Sequence, residues 1–391
     1  MKKIGVLSIL HFFVDMLCAI SIFSWFITKE NAATVAITYN FCAFALQMPL
    51  GALLDGMRKA SAKNREKHKK GEGELVAFIF TAIGVILTMV GAFTFVWILG
   101  LGNALFHVGG GVMAIEEDNL RLMKGRGLGV FVAPGAIGLY LGTQFQHEGA
   151  LGLVVDATEI MAILVILGFY TILLWFYLEK RRQQNLQLTE DIKIYHRKKE
   201  KTEVEEDAGA EIKRGSTVEE SMDGNQGKIT SKLILVIACC FICVVIRSYV
   251  GMAATFPWKT GFNMGLMAVI AVAIGKAAGG FLGAKMGYRK AAIISLPIAA
   301  IAFVFGNDPL AGSLALLFFN MTMPITLYAL VKRMPETPGF AFGILTLGLF
   351  VGYLPWFISL IPTPATWILG LVGSILSLAV LIPALPKKEE W

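Results

Sequence analysis

Two pairs of polar residues stand in apolar surroundings at a spacing that puts both members on one helix face. His11 and Asp15 are four apart in Ile9-Leu-His-Phe-Phe-Val-Asp15, and Asn103 and His107 repeat the interval in Asn103-Ala-Leu-Phe-His107. Residues at that interval are neighbours on a helix surface. An ionisable side chain inside a bilayer is expensive, so each one marks a candidate cavity or coupling step. Three chemistries fit the first-half set of His11, Asp15 and His107. Asp15 can exchange a proton while the imidazoles tune or relay it, because imidazole titrates near neutral pH. The imidazoles can instead hydrogen-bond Asp15 and tie two helices together. Two imidazoles and a carboxylate can also bind a divalent transition ion. Cys239, Cys240 and Cys243 would be further donors for such an ion, although membrane cysteines usually pack as small apolar residues.

The second half of the chain supplies fixed positive charge, Arg247 and Lys276, followed by Asn320 and Thr322, whose polar atoms need partners in lipid. A guanidinium facing a cavity can hold a carboxylate or phosphonate through two parallel bonds, and its other use is an ion pair or snorkelling to the surface. Lys276 reads as a structural or gating residue.

The elements that must position these groups are membrane helices. Hydrophobic residues form 56% of the 391 residues and charged ones 16%, with a mean hydropathy of +0.66, too apolar for a soluble core with a polar coat. Each crossing takes roughly 20 apolar residues. Twelve candidates have centres near residues 16, 43, 84, 105, 137, 167, 243, 274, 298, 319, 349 and 374. Residues 1–178 form a first six-helix unit, 179–230 a hydrophilic linker, and 231–391 a second six-helix unit. The linker is low in apolar content and reads as largely unstructured, with a charged helix possible over Asp191 to Glu205.

With the amino terminus inside, 31 of the 35 Lys and Arg fall on the cytoplasmic side, Lys29 and Lys259 fall on the outer side, and Arg247 and Lys276 lie within spans. Both termini are therefore expected in the cytoplasm. The net charge of +7 is mainly this topology signal, and nucleic-acid binding is not expected. The basic stretch at residues 60–74 faces the anionic inner leaflet. Lys2 and Lys3 precede an apolar run without a small-residue cleavage site, so that run is read as a retained first helix. The five cysteines all lie in candidate spans and imply no disulfide framework.

The two units look like copies. The second helix ends in Gly51-Ala-Leu-Leu-Asp-Gly-Met-Arg-Lys59 and the eighth in Gly280-Phe-Leu-Gly-Ala-Lys-Met-Gly-Tyr-Arg-Lys290. These resemble the major facilitator signature Gly-x-Leu-x-Asp-Arg-x-Gly-Arg-Arg. Gly51, Leu53, Asp55 and Lys59 fit the first copy, with Gly56 where Arg is expected and Arg58 where Gly is expected. Gly280, Leu282, Lys285, Gly287 and Arg289 fit the second, with Ala284 in place of the acid. The resemblance implies an all-α membrane fold of two pseudo-symmetric six-helix bundles, and a gating role for Asp55, Arg58, Lys59, Lys285 and Arg289. The other reading of this element is a solvated loop with one capping Asp.

The fourth-helix stretch Gly100-Leu-Gly-Asn-Ala-Leu-Phe-His-Val-Gly-Gly-Gly111 resembles Gly-x-Gly-x-Ala-x-Phe-His-Pro-x-Gly of transporters related to the fosmidomycin resistance protein, with Val108 in the proline position. His11 with Asp15, and Arg247 with Ser248, match two further short motifs of that group. In the superfamily, helices one, four, seven and ten line a central cavity, and helices five and eleven meet across the halves. The fifth helix carries Gly138 and Gly142 and the eleventh Gly348 and Gly352, each pair on one face and suited to close packing. Trp258 and Trp356 lie near outer helix ends and read as an aromatic belt. The external acids Glu30, Glu148, Asp156 and Asp308, with Glu159, read as solvated.

The reading is a bacterial inner-membrane secondary transporter, not an enzyme, working by alternating access and expected to be a monomer. It has no Gly-x-x-x-x-Gly-Lys-[Ser/Thr] nucleotide loop and no expected cofactor or resident metal, so a proton gradient is the expected energy source. Asp15, His11 and His107 are assigned to proton coupling, and Arg247, Asn103 and Asn320 to a small, anionic or drug-like substrate that is exported. Proton- or sodium-linked uptake is the alternative; a divalent metal transporter and a non-transporting receptor stand further back. A membrane enzyme would need a third catalytic element beside the His and Asp residues.

Overall fold

The computed structural model describes residues 2–63, 72–144, 168, 226–360 and 362–386. Among them are thirteen α-helices and no strand. In chain order they are α1 (Lys2–Ser21), α2 (Ala32–Asn40), α3 (Gln47–Lys63), α4 (Glu72–Ala92), α5 (Val96–Leu120) and α6 (Arg126–Thr143) in the first half. The second half holds α7 (Gln226–Ala253), α8 (Gly261–Met286), α9 (Tyr288–Val304), α10 (Pro309–Asn320), α11 (Thr322–Arg333), α12 (Pro338–Phe357) and α13 (Thr366–Ala384). These helices cover eleven of the twelve expected spans. The sixth, centred near residue 167, lies outside the described residues, as do the linker over 179–225, Glu148, Asp156 and Glu159. Helix α7 opens at Gln226, within the stretch assigned to the end of the linker.

Helices are the elements that satisfy every backbone group internally in lipid. Three spans depart from a plain α-helix. A π-helical turn, Ile22–Phe26, closes α1, and another, Phe41–Ala45, joins α2 towards α3. The tenth span is interrupted at Met321, between α10 and α11, and Pro324 explains the break because it has no N–H for the Asn320 carbonyl.

Outward faces are apolar at helical spacing. On α4 they include Ile79, Ile83, Ile86 and Val90, and on α9 and just beyond it Ile294, Ile298, Ile301 and Phe305, all more than a third exposed. Both stripes follow the same 4-3-4 interval, which suits a helix facing lipid in equivalent places of two related halves.

Close packing is set by glycines nine residues apart, two and a half turns, which puts them on opposite faces. In α6 a Cβ on Gly138 would stand 2.1 Å from the Phe12 carbonyl oxygen of α1, and one on Gly129 would stand 2.9 Å from the Lys276 oxygen of α8. In α12 a Cβ on Gly352 would stand 2.3 Å from the Val245 oxygen of α7, and one on Gly343 would stand 2.4 Å from the Gln47 oxygen of α3. The expectation that the fifth and eleventh spans meet each other is therefore corrected. Each has two glycine faces, one against its own half and one against the other: α6 meets α8, and α12 meets α3. The pairs singled out from the sequence, Gly138 with Gly142 and Gly348 with Gly352, belong to the faces within each half.

Trp258 is also corrected. It is buried, its Nε1 donates to the Gly306 carbonyl at 2.8 Å, and its ring fills the space left by Gly312, so it staples two loops rather than facing lipid. Trp356 is 37% exposed, as a belt residue would be.

These two kinds of glycine contact should respond differently to substitution. Gly138→Val forces a branched side chain into the α1 backbone within one half and should lower thermal stability by the about 1–3 kcal/mol typical of overpacking. Gly51, whose Cβ would stand 2.1 Å from the Gly339 oxygen across the halves, should when changed to Val leave stability nearly intact and separate α3 from α12 instead. Thermal unfolding in detergent, together with the distance between spin labels on α3 and α12, distinguishes the two.

Candidate functional site

The first-half polar residues converge between α1, α5 and α6, and a proline starts the arrangement. Pro134 lies inside α6 and has no N–H to give the Val130 carbonyl. That oxygen accepts from Ser8 Oγ at 3.1 Å instead, and the next carbonyl, Phe131, is bonded to His11 Nδ1 at 2.8 Å. Gly135 then leaves the room that the site occupies, since a Cβ there would stand 2.3 Å from His11 Nε2 and 2.4 Å from Asp15 Oδ2.

On the far side of this pocket His107 Nδ1 is bonded to the Asn103 carbonyl at 2.9 Å, and its Nε2 stands 2.9 Å from His11 Nε2. The two rings meet edge to face, with centroids 4.5 Å apart. Asp15 lies beside both, with Oδ2 3.2 Å from His11 Nε2 and Oδ1 3.7 Å from His107 Nε2. Asn103 Nδ2 donates to Asp15 Oδ1 at 3.1 Å. The imidazoles and Asn103 are buried, whereas the Asp15 side chain keeps 18% of its surface exposed. Asn103, assigned from sequence to the substrate, thus holds the carboxylate, while its Oδ1 is buried and has no partner among the described residues.

The second-half residues do not join this cluster by hydrogen bonds among the described residues. Arg247 is 8% exposed, and its Nη1 is buried without an acceptor among those residues. Lys276 on α8 lies within Coulombic range of Arg247, Asp15 and His107. Asn320 donates to the Leu316 carbonyl at 2.8 Å, and Thr322 to the Phe319 carbonyl at 2.7 Å, both at the break between α10 and α11. Interrupted helices of this kind expose backbone near substrate sites in transporters.

The residues expected to gate divide. Asp55, 2% exposed at the basic end of α3, accepts from Gly339 N at 3.0 Å and from Phe340 N at 2.8 Å, the free amides of the first turn of α12. Thr337, at the N-cap of α12, makes no side-chain cap, so the acid from the other half supplies it. Arg58 stands 3.6 Å from Asp55 and pairs with Glu116. In the second copy Ala284 leaves no acid, and the cross-half bond comes from Tyr288, whose hydroxyl donates to the Lys124 carbonyl at 2.7 Å. Its ring stacks on Tyr328 and reaches the space beside Gly125, which has φ 87°. Arg289 does not face the other half; its Nη1 donates to the Ile382 and Leu385 carbonyls and ends α13. Lys59 and Lys285 are exposed.

Sequence reasoning missed Glu116, Asp118 and Tyr288. Asp118 accepts from Gly125 N at 2.6 Å and Gly127 N at 2.7 Å and so caps α6. The signal was the run Glu116-Glu-Asp118 at the basic end of the fourth span, where acids have no topological purpose.

No family model matches the chain, and no curated relative matches it by sequence. Among solved structures the chain is similar to the crystal structure of the E. coli fucose:proton symporter FucP, with a TM-score of 0.58 over 98% of each chain at 12% identity. The likeness is one of fold.

The Asp55 latch predicts a specific loss. In Asp55→Asn an amide group faces one of the two α12 N–H donors, and a charge-assisted contact of about 1.5–3 kcal/mol is forfeited. The population closed at the basic end should fall about tenfold or more, read as increased labelling of single cysteines placed along α12 near Phe340.

Proposed function

We propose that the chain is a secondary transporter of a small organic anion, coupled to protons and working by alternating access between its two halves. The observation that carries this reading is a chemical asymmetry between the halves: a carboxylate and two imidazoles in one, and a buried guanidinium without a partner among the described residues in the other. A buried unpaired charge is strongly unfavourable, so Arg247 calls for an anion that the described residues do not supply. Lys276 adds a second positive charge nearby. The short matches at Gly100 to Gly111, His11 with Asp15 and Arg247 with Ser248 support kinship with the fosmidomycin resistance group.

Asp15, held by Asn103 and the two imidazoles, forms with those imidazoles the site that takes up and releases the proton. Arg247 holds the anionic group, and Asn320, at a broken helix, offers a further polar contact. Asp55 and Arg58 open and close the basic end, which is the cytoplasmic end with both termini inside, in a bacterial inner membrane. Anion export against entering protons is the reading adopted. Uptake with protons is the second, favoured by the fold shared with a named symporter and by the closed basic end.

The test is a pH dye inside proteoliposomes of the full chain, with small organic anions and drugs added in turn. Substrate-dependent proton flux should be abolished in Asp15→Asn, and its direction decides between export and uptake. Flux surviving that substitution would make Asp15 structural. Arg247→Gln should weaken binding of the transported anion by about 10- to 100-fold, the cost of one charge-assisted contact. Unchanged anion affinity, measured by calorimetry, would remove Arg247 from the substrate site.

A further inference from the structure

The hydrogen-bonding capacities of the two facing imidazoles balance only when a proton is added. A carbonyl oxygen accepts and cannot donate, so His11 Nδ1, 2.8 Å from the Phe131 oxygen, carries a hydrogen. His107 Nδ1 carries one for the same reason, 2.9 Å from the Asn103 oxygen. A neutral imidazole has one N–H, which leaves both Nε2 atoms bare. Yet these two atoms stand 2.9 Å apart, a hydrogen-bond length at which two lone pairs repel. Turning either ring over would set carbon atoms against polar partners on both sides, so the geometry admits no neutral solution.

We propose that His11 Nε2 and His107 Nε2 share one proton as an imidazole–imidazolium pair, with the Asp15 carboxylate as its counter-ion. The surroundings fit a count of one. From α1, Asp15 lies 3.2 and 3.7 Å from the two Nε2 atoms and balances a single positive charge. From α5, Asn103 fixes that carboxylate. From α8, Lys276 is a further cation within Coulombic range of His107 and opposes a second proton. From α6 the neighbours are Phe131 and Gly135, neither ionisable. Cys18 on α1, in contact with Asn103 Nδ2 at 3.6 Å, and Tyr39 on α2 beyond it complete the ionisable groups nearby among the described residues. The proton count stands without transport; only its use rests on the coupling reading above.

The experiment uses the full chain in nanodiscs, with His68, His147 and His196 changed to Gln so that the pair holds the only histidines. Nitrogen-15 NMR of the imidazoles counts protons against pH. Two independent rings with pKa near 6.5 would go from about 1.5 added protons to about 0.2 between about pH 6 and 7.5. The shared pair should hold one throughout that range, with a coupling across the Nε2–Nε2 bond. In His107→Gln, checked for native elution and helix content, the plateau should vanish and His11 should titrate alone. Independent titration of the two rings in the parent protein would overturn the proposal. So would a stoichiometric divalent transition ion in the purified protein whose chelation changes the imidazole signals. A one-proton plateau in a protein that moves no protons would defeat the transport reading and leave this one standing.

Discussion

A polar group inside a bilayer cannot turn to bulk water, and the architecture of this protein follows from where each such group finds its partner. A single missing N–H, that of Pro134, shows how far this reaches. It frees the Val130 carbonyl for Ser8, it is followed at once by a carbonyl bonded to His11 and by a glycine that leaves space for a carboxylate, and so it fixes the orientation of an imidazole. Pro324 acts similarly in the other half, where the tenth span breaks beside Asn320 and Thr322. Irregular backbone at membrane depth is tolerated where it lies within protein or lines a cavity. In this protein the break between α10 and α11 lies beside Asn320 and Thr322.

The alternating access proposed above would require one surface that holds and another that slides. Helices α6 and α12 carry one of each. Their inner glycines, Gly138 and Gly352, bring backbone against backbone within a half, where the contact has no reason to break. Their outer glycines, Gly129 and Gly343, bring them equally close to the other half. Glycine contacts present no side-chain knob, so the second surface can move without unlocking interdigitated side chains. Directionality then depends on the ends. The basic end is tied by Asp55 on α12 amides and by Tyr288 on a strained loop, where Leu122 and Lys124 also have positive φ. The far end has Tyr140 donating to the Phe262 carbonyl at 2.8 Å.

Most of the fold was legible in the sequence because the hydrophobic period and the basic loops are signals of composition, summed over many residues. Eleven spans lie where they were expected, and the intramembrane acid and imidazoles do meet. What was not legible depends on geometry between elements. Which helix faces α6 cannot be read from its glycines alone, because four-residue spacing marks a close-packed face without naming its neighbour. Trp258 lay at a helix end, which made a lipid belt the natural reading until its Nε1 was seen to have a carbonyl partner. Arg289 fitted a signature yet caps its own half, since a motif records residue types and leaves open where a long side chain turns. The acids Glu116 and Asp118 were passed over because orientation is read from Lys and Arg, and acids contribute little to that rule.

The charges of the two halves make sense only together. With one proton on the imidazole pair, Asp15 and its imidazolium cancel, and the first half presents no net charge at its site. Arg247 and Lys276 then remain as positive charge within the second half, where the described spans contain no carboxylate to offset them. An anion is the ligand that the proposed reading assigns to this state. Remove the proton, and Asp15 becomes the uncompensated group, with Lys276 the cation within its reach across the halves. An anion at Arg247 and a bare carboxylate at Asp15 would then compete for the same positive field. Competition through charge is sufficient to make proton and anion occupancy interdependent, without any direct contact between them, because low-dielectric surroundings lengthen the reach of each charge. Arg247 need not touch Asp15 for the one to respond to the other. Lys276 is within Coulombic range of both, on α8, which is packed against α6 along its glycine face.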